Sequence, residues 1–327
     1  MKALLCTAFG PIDTLSVQNV STPAFGAKQV LVDVKAASIN FPDALIVQGL
    51  YQVKPALPFS PGVELSGVIA EVGADVTGWK AGDRVMASVD YGAFAEQCPV
   101  EAHRLVPLPE SMSFTLGAAF ILTYGTSLHA LKDRAKTTAS DTVLILGAAG
   151  GVGIAAIQIA KQLGARVIAA ASTDEKTALC RESGADDVIN YTTESLRDRL
   201  KALTENKGVT VVVDSIGGEH SETALRNLDW RGRFLVVGFA AGTIPRIPLN
   251  LALLKEREIL GVFWGDAVNR DPAQHHENMR LLQTWLDEKR IAPVISEEVR
   301  LDEAAAAIQR IANRQVKGKV VIHIADR

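Results

Sequence analysis

The stretch Thr142-Val-Leu-Ile-Leu-Gly-Ala-Ala-Gly-Gly-Val-Gly-Ile-Ala-Ala-Ile-Gln-Ile-Ala160 constrains this chain more than any other. Four consecutive aliphatics, Val143 to Leu146, suit a strand covered on both faces, and the residues from Ile154 onward suit a helix with an apolar face. Between them Gly147, Gly150, Gly151 and Gly153 permit a tight turn that brings backbone N–H groups against a pyrophosphate. A helix starting near Gly151 then aims its positive end at that anion. Ala149, Gly150, Gly151 and Val152 are the expected cofactor-binding residues of this turn. The spacing reads Ala148-x-Gly150-x-x-Gly153, with alanine where the G-x-G-x-x-G fingerprint has its first glycine, so alone it also admits a purely structural turn. The segment carries no charge and approaches the length of a membrane span; its glycine cluster and flanking βα pattern argue against one.

The next strand, Arg166-Val-Ile-Ala-Ala-Ala-Ser172, ends where NAD-preferring sites carry an acid for the ribose 2′-hydroxyl. Here it ends on alanine and serine. Without a carboxylate nothing repels a 2′-phosphate, while Ser172 can donate a hydrogen bond and Lys176 can supply charge. NADPH is therefore expected over NADH. As a lone lysine Lys176 reads better as a solvated helix residue, and Asp174 and Glu175 beside it add opposing charge.

At 327 residues with 48% hydrophobic composition, the chain is long enough for two domains with ample cores. A formal charge of −3 and the lack of a long Lys/Arg run give no broad attraction to nucleic acid or to an anionic membrane. Met1-Lys-Ala-Leu-Leu-Cys-Thr-Ala-Phe9 reads as a first strand rather than a secretory segment, so a cytoplasmic protein is expected. Cys6, Cys98 and Cys180 are too few and too scattered for a disulfide framework or a four-cysteine zinc site.

Two textures divide the chain. Before about residue 110, β-like runs at 29–34, 64–72, 83–88, 94–100 and 103–106 alternate with turn residues, as in a mostly antiparallel, barrel-like unit. From Thr142, strands at 142–146, 166–171, 187–190, 209–215, 233–238 and 259–263 alternate with helical segments, implying a doubly wound parallel sheet. Helices are expected over 277–289 and 302–313, then a strand at 319–324 that returns to the first domain. The expected organisation is 1–122 catalytic, 123–264 dinucleotide-binding and 265–327 completing the catalytic domain, with a cleft between the two domains.

Ser38-Ile-Asn-Phe-Pro-Asp43, Gly49-Leu-Tyr51, Leu57-Pro-Phe-Ser-Pro-Gly-Val-Glu64, Gly82-Asp-Arg-Val85, Gly92-Ala-Phe-Ala-Glu96 and Gly147-Ala-Ala-Gly-Gly-Val-Gly153 together resemble the medium-chain dehydrogenase/reductase superfamily. Within it the chain is similar to the zinc-independent NADPH:quinone oxidoreductases, the zeta-crystallin-like branch. The resemblance spans the whole chain, through Gly318-Lys319-Val320-Val321. It implies an α/β fold, a GroES-like β-rich catalytic domain plus a Rossmann domain.

Zinc-dependent relatives use a cysteine in the early loop and a histidine in Gly-His-Glu; the corresponding places here read Ile39-Asn40 and Gly62-Val63-Glu64. Valine cannot coordinate a metal, so no metal site is expected. The resemblance places Tyr51 near the nicotinamide as a hydrogen-bond donor for the reduced oxygen, with packing at a turn as its other reading. It places Asn40 where it orients ribose or substrate, although asparagine before a helix is also a common cap. It also implies Thr126 near the nicotinamide ribose or phosphate, and Tyr191 and Arg314 beside the 2′-phosphate with Ser172 and Lys176. Gly238-Phe239 and Phe263-Trp264 sit at strand ends facing the expected crevice, with core or dimer packing an equal reading of Phe263 and Trp264.

Hydride transfer from NADPH to a quinone or similar conjugated carbonyl is the implied activity. Reduction of 2-alkenals, enones or 2-enoyl-CoA thioesters is the alternative within the branch, and a nucleotide-binding regulatory or interaction protein is the alternative outside catalysis. The resemblance implies a homodimer that pairs the edge formed by the apolar runs at 233–237 and 258–264 across a two-fold axis.

Overall fold

The computed structural model describes residues 1–324 and divides into two compact units. The first comprises residues 1–122, 267–279 and 293–324, and the second residues 123–266 and 280–292.

The first unit is built on a strand longer than its apolar run suggests. β1 (Lys2–Leu5) and β2 (Ser16–Asn19) form an antiparallel pair. β3 (Gln29–Ile39) then extends five residues beyond the expected 29–34, because the charged Lys35 falls on one face while Ala36, Ala37, Ser38 and Ile39 are buried. β4 (Glu64–Val72), β5 (Arg84–Ser88), β6 (Gln97–Glu101), β7 (Leu105–Pro107), and the late strands β14 (Ile295–Arg300) and β15 (Lys319–His323) complete the unit. The order is β14-β15-β3-β4-β5-β7, with β6 also on β3. One side of β3 pairs with β4; the other is shared, with β6 on Gln29–Asp33 and β15 on Ala36–Ile39. The tail returns to the first unit by joining the second half of β3. Its register sets Val320 opposite Ile39, which carries Lys319 next to Asn40. Val32, Val34, Ile39, Leu65, Phe94 and Ile322 lie in one continuous core.

In the second unit, β8 (Thr142–Leu146), β9 (Arg166–Ala171), β10 (Asp187–Asn190), β11 (Val209–Asp214), β12 (Leu228–Val236) and β13 (Glu258–Gly261) form one sheet in the order β10-β9-β8-β11-β12-β13, all neighbours parallel. This is the doubly wound order, with its reversal between β8 and β11. Val143 to Leu146 are fully buried, as expected for a strand covered on both faces. The sequence reading returns all of 265–327 to the first domain, whereas Arg280–Ala292 clusters with the second unit. Hydrogen bonds supply the reason. Gln158 donates to Ala292 O (3.0 Å) and accepts from Ala292 N (2.9 Å), and Gln162 exchanges two more with Arg290.

Among the described residues no helix is long and apolar enough to cross a membrane.

Candidate functional site

The glycine turn is built by close approach. Gly147 adopts φ +68°, and a Cβ there would sit 2.5 Å from Ile216 Cγ2. The left-handed turn residue is therefore Gly147, one position before the fingerprint's first place, which is why Ala148 fits there. Ala148 is fully buried and its N–H donates to Ala170 O (3.1 Å), locking the turn onto β9. A Cβ on Gly153 would meet the Ala148 backbone at 2.5 Å, so the Gly151–Gln162 helix packs as close as a glycine allows.

Gly150 differs: a Cβ there would touch only Gly147 O, at 3.6 Å, so its open side faces no protein atom closely. Gly150 is also the N-cap of the helix, and no side chain caps it. Ala149, Gly150, Gly151 and Val152 thus form a backbone cradle at a positive helix end, the arrangement that holds a phosphate. The residues fit a dinucleotide's diphosphate.

Thr126 lies half-buried in the Ile121–Leu128 helix. The next residue, Ser127, donates to Val152 O (3.0 Å), which ties that helix to the glycine helix. At the carboxyl end of β11, buried Asp214 accepts from Ile216 N (3.0 Å), Gly217 N (2.8 Å) and Ser221 Oγ (2.5 Å), and its carbonyl accepts from Val237 N and Gly238 N. That double turn holds Gly238 and Phe239, with the Phe239 ring against Gly217. Trp264 is buried and its indole covers Gly125, so it packs within this unit, while Phe263 is 56% exposed.

Three of the four residues expected beside a 2′-phosphate, Ser172, Lys176 and Tyr191, belong to the second unit. Lys176 Nζ lies 3.5 Å from Ser172 Oγ, and Tyr191 follows β10 with its N–H on Ala171 O (3.1 Å). Asp174, which could oppose a 2′-phosphate, accepts instead from Asn190 Nδ2 (2.7 Å). Arg314 belongs to the first unit, exposed in a left-handed turn (φ 58°).

In the first unit a buried polar cluster surrounds Asn40. Asn40 holds the N-cap position of the Phe41–Val47 helix and is 7% exposed, but its side chain makes no capping hydrogen bond. Its side chain is fully engaged: Oδ1 accepts from Lys319 Nζ (2.6 Å), and Nδ2 donates to Ser38 O (3.2 Å) and Glu64 Oε2 (3.1 Å). Glu64 is completely buried and accepts as well from Ser38 Oγ (2.6 Å), Leu122 N (2.9 Å) and Lys319 Nζ (3.0 Å). Asp43, also completely buried, accepts from Asn40 N (2.7 Å). Burial pushes its carboxyl up to about 7 against the pull of the Asn40 amide and Lys319, with Glu64 adding to the rise.

Tyr51 follows the Gly49 turn and is half-buried against the first unit's core. Burial foremost, then the charges of Asp43 and Asp90, raise its phenol above the ordinary value, so it keeps its proton at neutral pH. Asp90 is paired with Arg104 at 2.9 Å. Asp43, Glu64, Lys319 and Asp214 did not emerge from sequence reasoning as site residues. The signal for Asp43 and Glu64 was present in the quoted motifs; nothing local pointed to Lys319. Among the described residues no group of three His, Cys, Asp or Glu side chains is placed to hold a metal ion.

Residues 26–110 match the alcohol dehydrogenase GroES-like domain family, and residues 151–284 match the zinc-binding dehydrogenase family. The chain is 38% identical over 324 residues, 99% of its length and 92% of the relative's, to quinone oxidoreductase-like protein 2 of Rattus norvegicus. It is 34% identical over 325 residues to the quinone oxidoreductase of the same organism, covering 98% and 97% of the two chains. Among solved structures it resembles Escherichia coli quinone oxidoreductase complexed with NADPH, with a TM-score of 0.93, 28% identity, and coverage of 99% of this chain and 100% of that one.

Proposed function

Because the chain belongs to the quinone oxidoreductase branch of the medium-chain dehydrogenase/reductase superfamily, we propose that it reduces a quinone or similar conjugated carbonyl with NADPH and without zinc. The observation that carries the NADPH part is the end of β9. It offers Ser172 and Lys176 to a 2′-phosphate, while the nearby acid Asp174 is held by Asn190. The solved relative complexed with NADPH supports the same cofactor.

Bound NADPH supplies a hydride. The turn from Ala149 to Val152 binds the diphosphate through backbone N–H groups, and Thr126, Gly238 and Phe239 line the nicotinamide end. Ser172, Lys176 and Tyr191 recognise the adenosine phosphate. Tyr51 holds a proton on its phenol and donates a hydrogen bond to the oxygen on which negative charge develops. Asn40, engaged with Lys319, Ser38 and Glu64, fixes the start of the helix that leads to Tyr51. A quinone or enone spreads the incoming charge over a conjugated system, so one such donor serves where a simple ketone would need a Lewis acid. Valine at 63 and asparagine at 40 support a reaction without zinc.

The exposed side of β13 carries Ile259, at 42% exposure, and is followed by Phe263; pairing across this edge gives the proposed homodimer. Sedimentation at micromolar concentration tests it, a monomer being the contrary result.

NADPH oxidation with 1,2-naphthoquinone, crotonaldehyde and crotonyl-CoA tests the acceptor. Turnover highest with the quinone is expected. A higher kcat/KM with either unsaturated carbonyl would reassign the substrate, and NADPH binding with no turnover on any of the three would favour a binding role.

A further inference from the structure

The buried cluster that leads to Tyr51 does not balance its charges. Glu64 and Asp43 are both completely buried, and among the described residues Lys319 is the cation that acts on either. Lys319 bonds Glu64 (3.0 Å) and Asn40 (2.6 Å), and Asp43 receives none of its hydrogen bonds. Glu64 accepts four in all, from Ser38, Asn40, Leu122 and Lys319. Asp43 accepts at Oδ2 from Asn40 N; the Gly62 amide also faces it and opposes the rise, but its buried Oδ1 has no partner within full hydrogen-bond geometry. Two buried carboxylates therefore share one ammonium that is committed to Glu64. Burying the second as an unpaired anion costs more than retaining its proton.

The groups facing this pair from each packed element are few. Lys319 from β15, Glu64 from β4 and the backbone amides of Asn40 and Gly62 face Asp43, while Tyr51 senses Asp43 and Asp90, the latter paired with Arg104 at 2.9 Å. Of the charged groups raising Tyr51, Asp43 is the one that burial brings to about 7.

We propose that Asp43 is a positioning residue of the acceptor site: protonated, it keeps the surroundings of Tyr51 neutral, and its ionisation slows reduction by opposing the oxyanion that Tyr51 stabilises. The inference rests on Tyr51 as the donor. An ionised Asp43 makes the phenol a weaker acid and adds like charge to the reduced oxygen; both effects act on the transition state more than on the neutral substrate. The released proton goes to solvent.

The test is the pH dependence of kcat/KM from pH 6 to 9 with saturating NADPH and 1,2-naphthoquinone, for the full chain and for Asp43→Asn and Tyr51→Phe. The wild type is expected to fall about tenfold with an inflection near 7, the size of effect one nearby charge produces. Asp43→Asn, which imitates the protonated carboxyl, is expected to lose that fall; the same inflection in Asp43→Asn overturns the proposal. Tyr51→Phe separates the two ideas. A slow Tyr51→Phe whose fall with pH is smaller than the wild type's supports both, whereas full activity with the inflection intact refutes Tyr51 as donor and leaves the Asp43 step to be judged by Asp43→Asn. Should Asp43→Asn fail to fold, carbon NMR of wild-type protein labelled at aspartate carboxyls decides. One carboxyl titrating near 7 is expected, and all of them titrating below 5 overturns the proposal.

Discussion

Lys319 Nζ donates to Asn40 Oδ1 across 2.6 Å and joins residues 279 positions apart. The bond closes the first unit: the last strand of the chain reaches back to the residue at the N-cap position of the Phe41–Val47 helix, and the same ammonium pairs with Glu64 at 3.0 Å. With side chains only 4% and 0% exposed, this pair is an ion pair in the core.

Removing the cation leaves Glu64 buried and uncompensated. Lys319→Met is expected to lower the urea unfolding free energy by about 3–5 kcal/mol, and Glu64→Gln added to it to recover part of the loss. A Lys319→Met protein as stable as wild type would show that the pair contributes nothing.

The glycine turn separates structural from cofactor glycines. Gly153→Ala forces a methyl to 2.5 Å from the Ala148 backbone, and a loss of about 1–3 kcal/mol in stability is expected. Gly150→Ala meets only Gly147 O at 3.6 Å, so it should fold with a stability within about 1 kcal/mol of wild type. Its methyl projects into the phosphate cradle, and calorimetry is expected to show NADPH binding weakened about tenfold or more. Unchanged binding in Gly150→Ala would remove the cradle from the cofactor site.

At the adenosine end, Lys176→Ala is expected to weaken NADPH binding about tenfold, the value of one charge-assisted contact, and to leave NADH binding unaltered. Equal affinity of the wild type for the two nucleotides would contradict the preference.

Asp43 also links stability to pH. Its carboxyl is raised in the folded protein, from 3.8 to about 7, so between those values the folded state holds a proton that the unfolded chain has released. Its contribution to stability is therefore greatest below about 4, falls as pH rises through 7, and is fully lost above. Asp141 and Asp186, both lowered, act in the opposite sense only as acid approaches the ordinary carboxylate range. Urea midpoints should decline from pH 5 to pH 8 in the wild type and decline less in Asp43→Asn; parallel curves for the two proteins would refute the assignment.

What the sequence made legible was local. β8 and its glycine helix follow from a run of buried aliphatics and four glycines, and the parallel order of the second sheet follows from alternation of strands and helices. The cluster around Asn40 was not legible, because it depends on the register of β15 against β3, a pairing between opposite ends of the chain. Asn40 itself was readable as either cap or site residue, and only its partners show that its side chain is spent inside the cluster. Gly147 as the left-handed residue was concealed by aligning Ala148 with a fingerprint position. The attachment of Arg280–Ala292 to the second unit rests on two glutamines of the glycine helix, Gln158 and Gln162, which a reading of apolar periodicity passes over.

The central claim, hydride transfer from NADPH to a quinone without zinc, is tested most directly by NADPH oxidation with 1,2-naphthoquinone after exhaustive chelation, with metal content measured on the same sample. The account predicts undiminished turnover at substoichiometric zinc; loss of turnover on chelation, restored by added zinc, would contradict it.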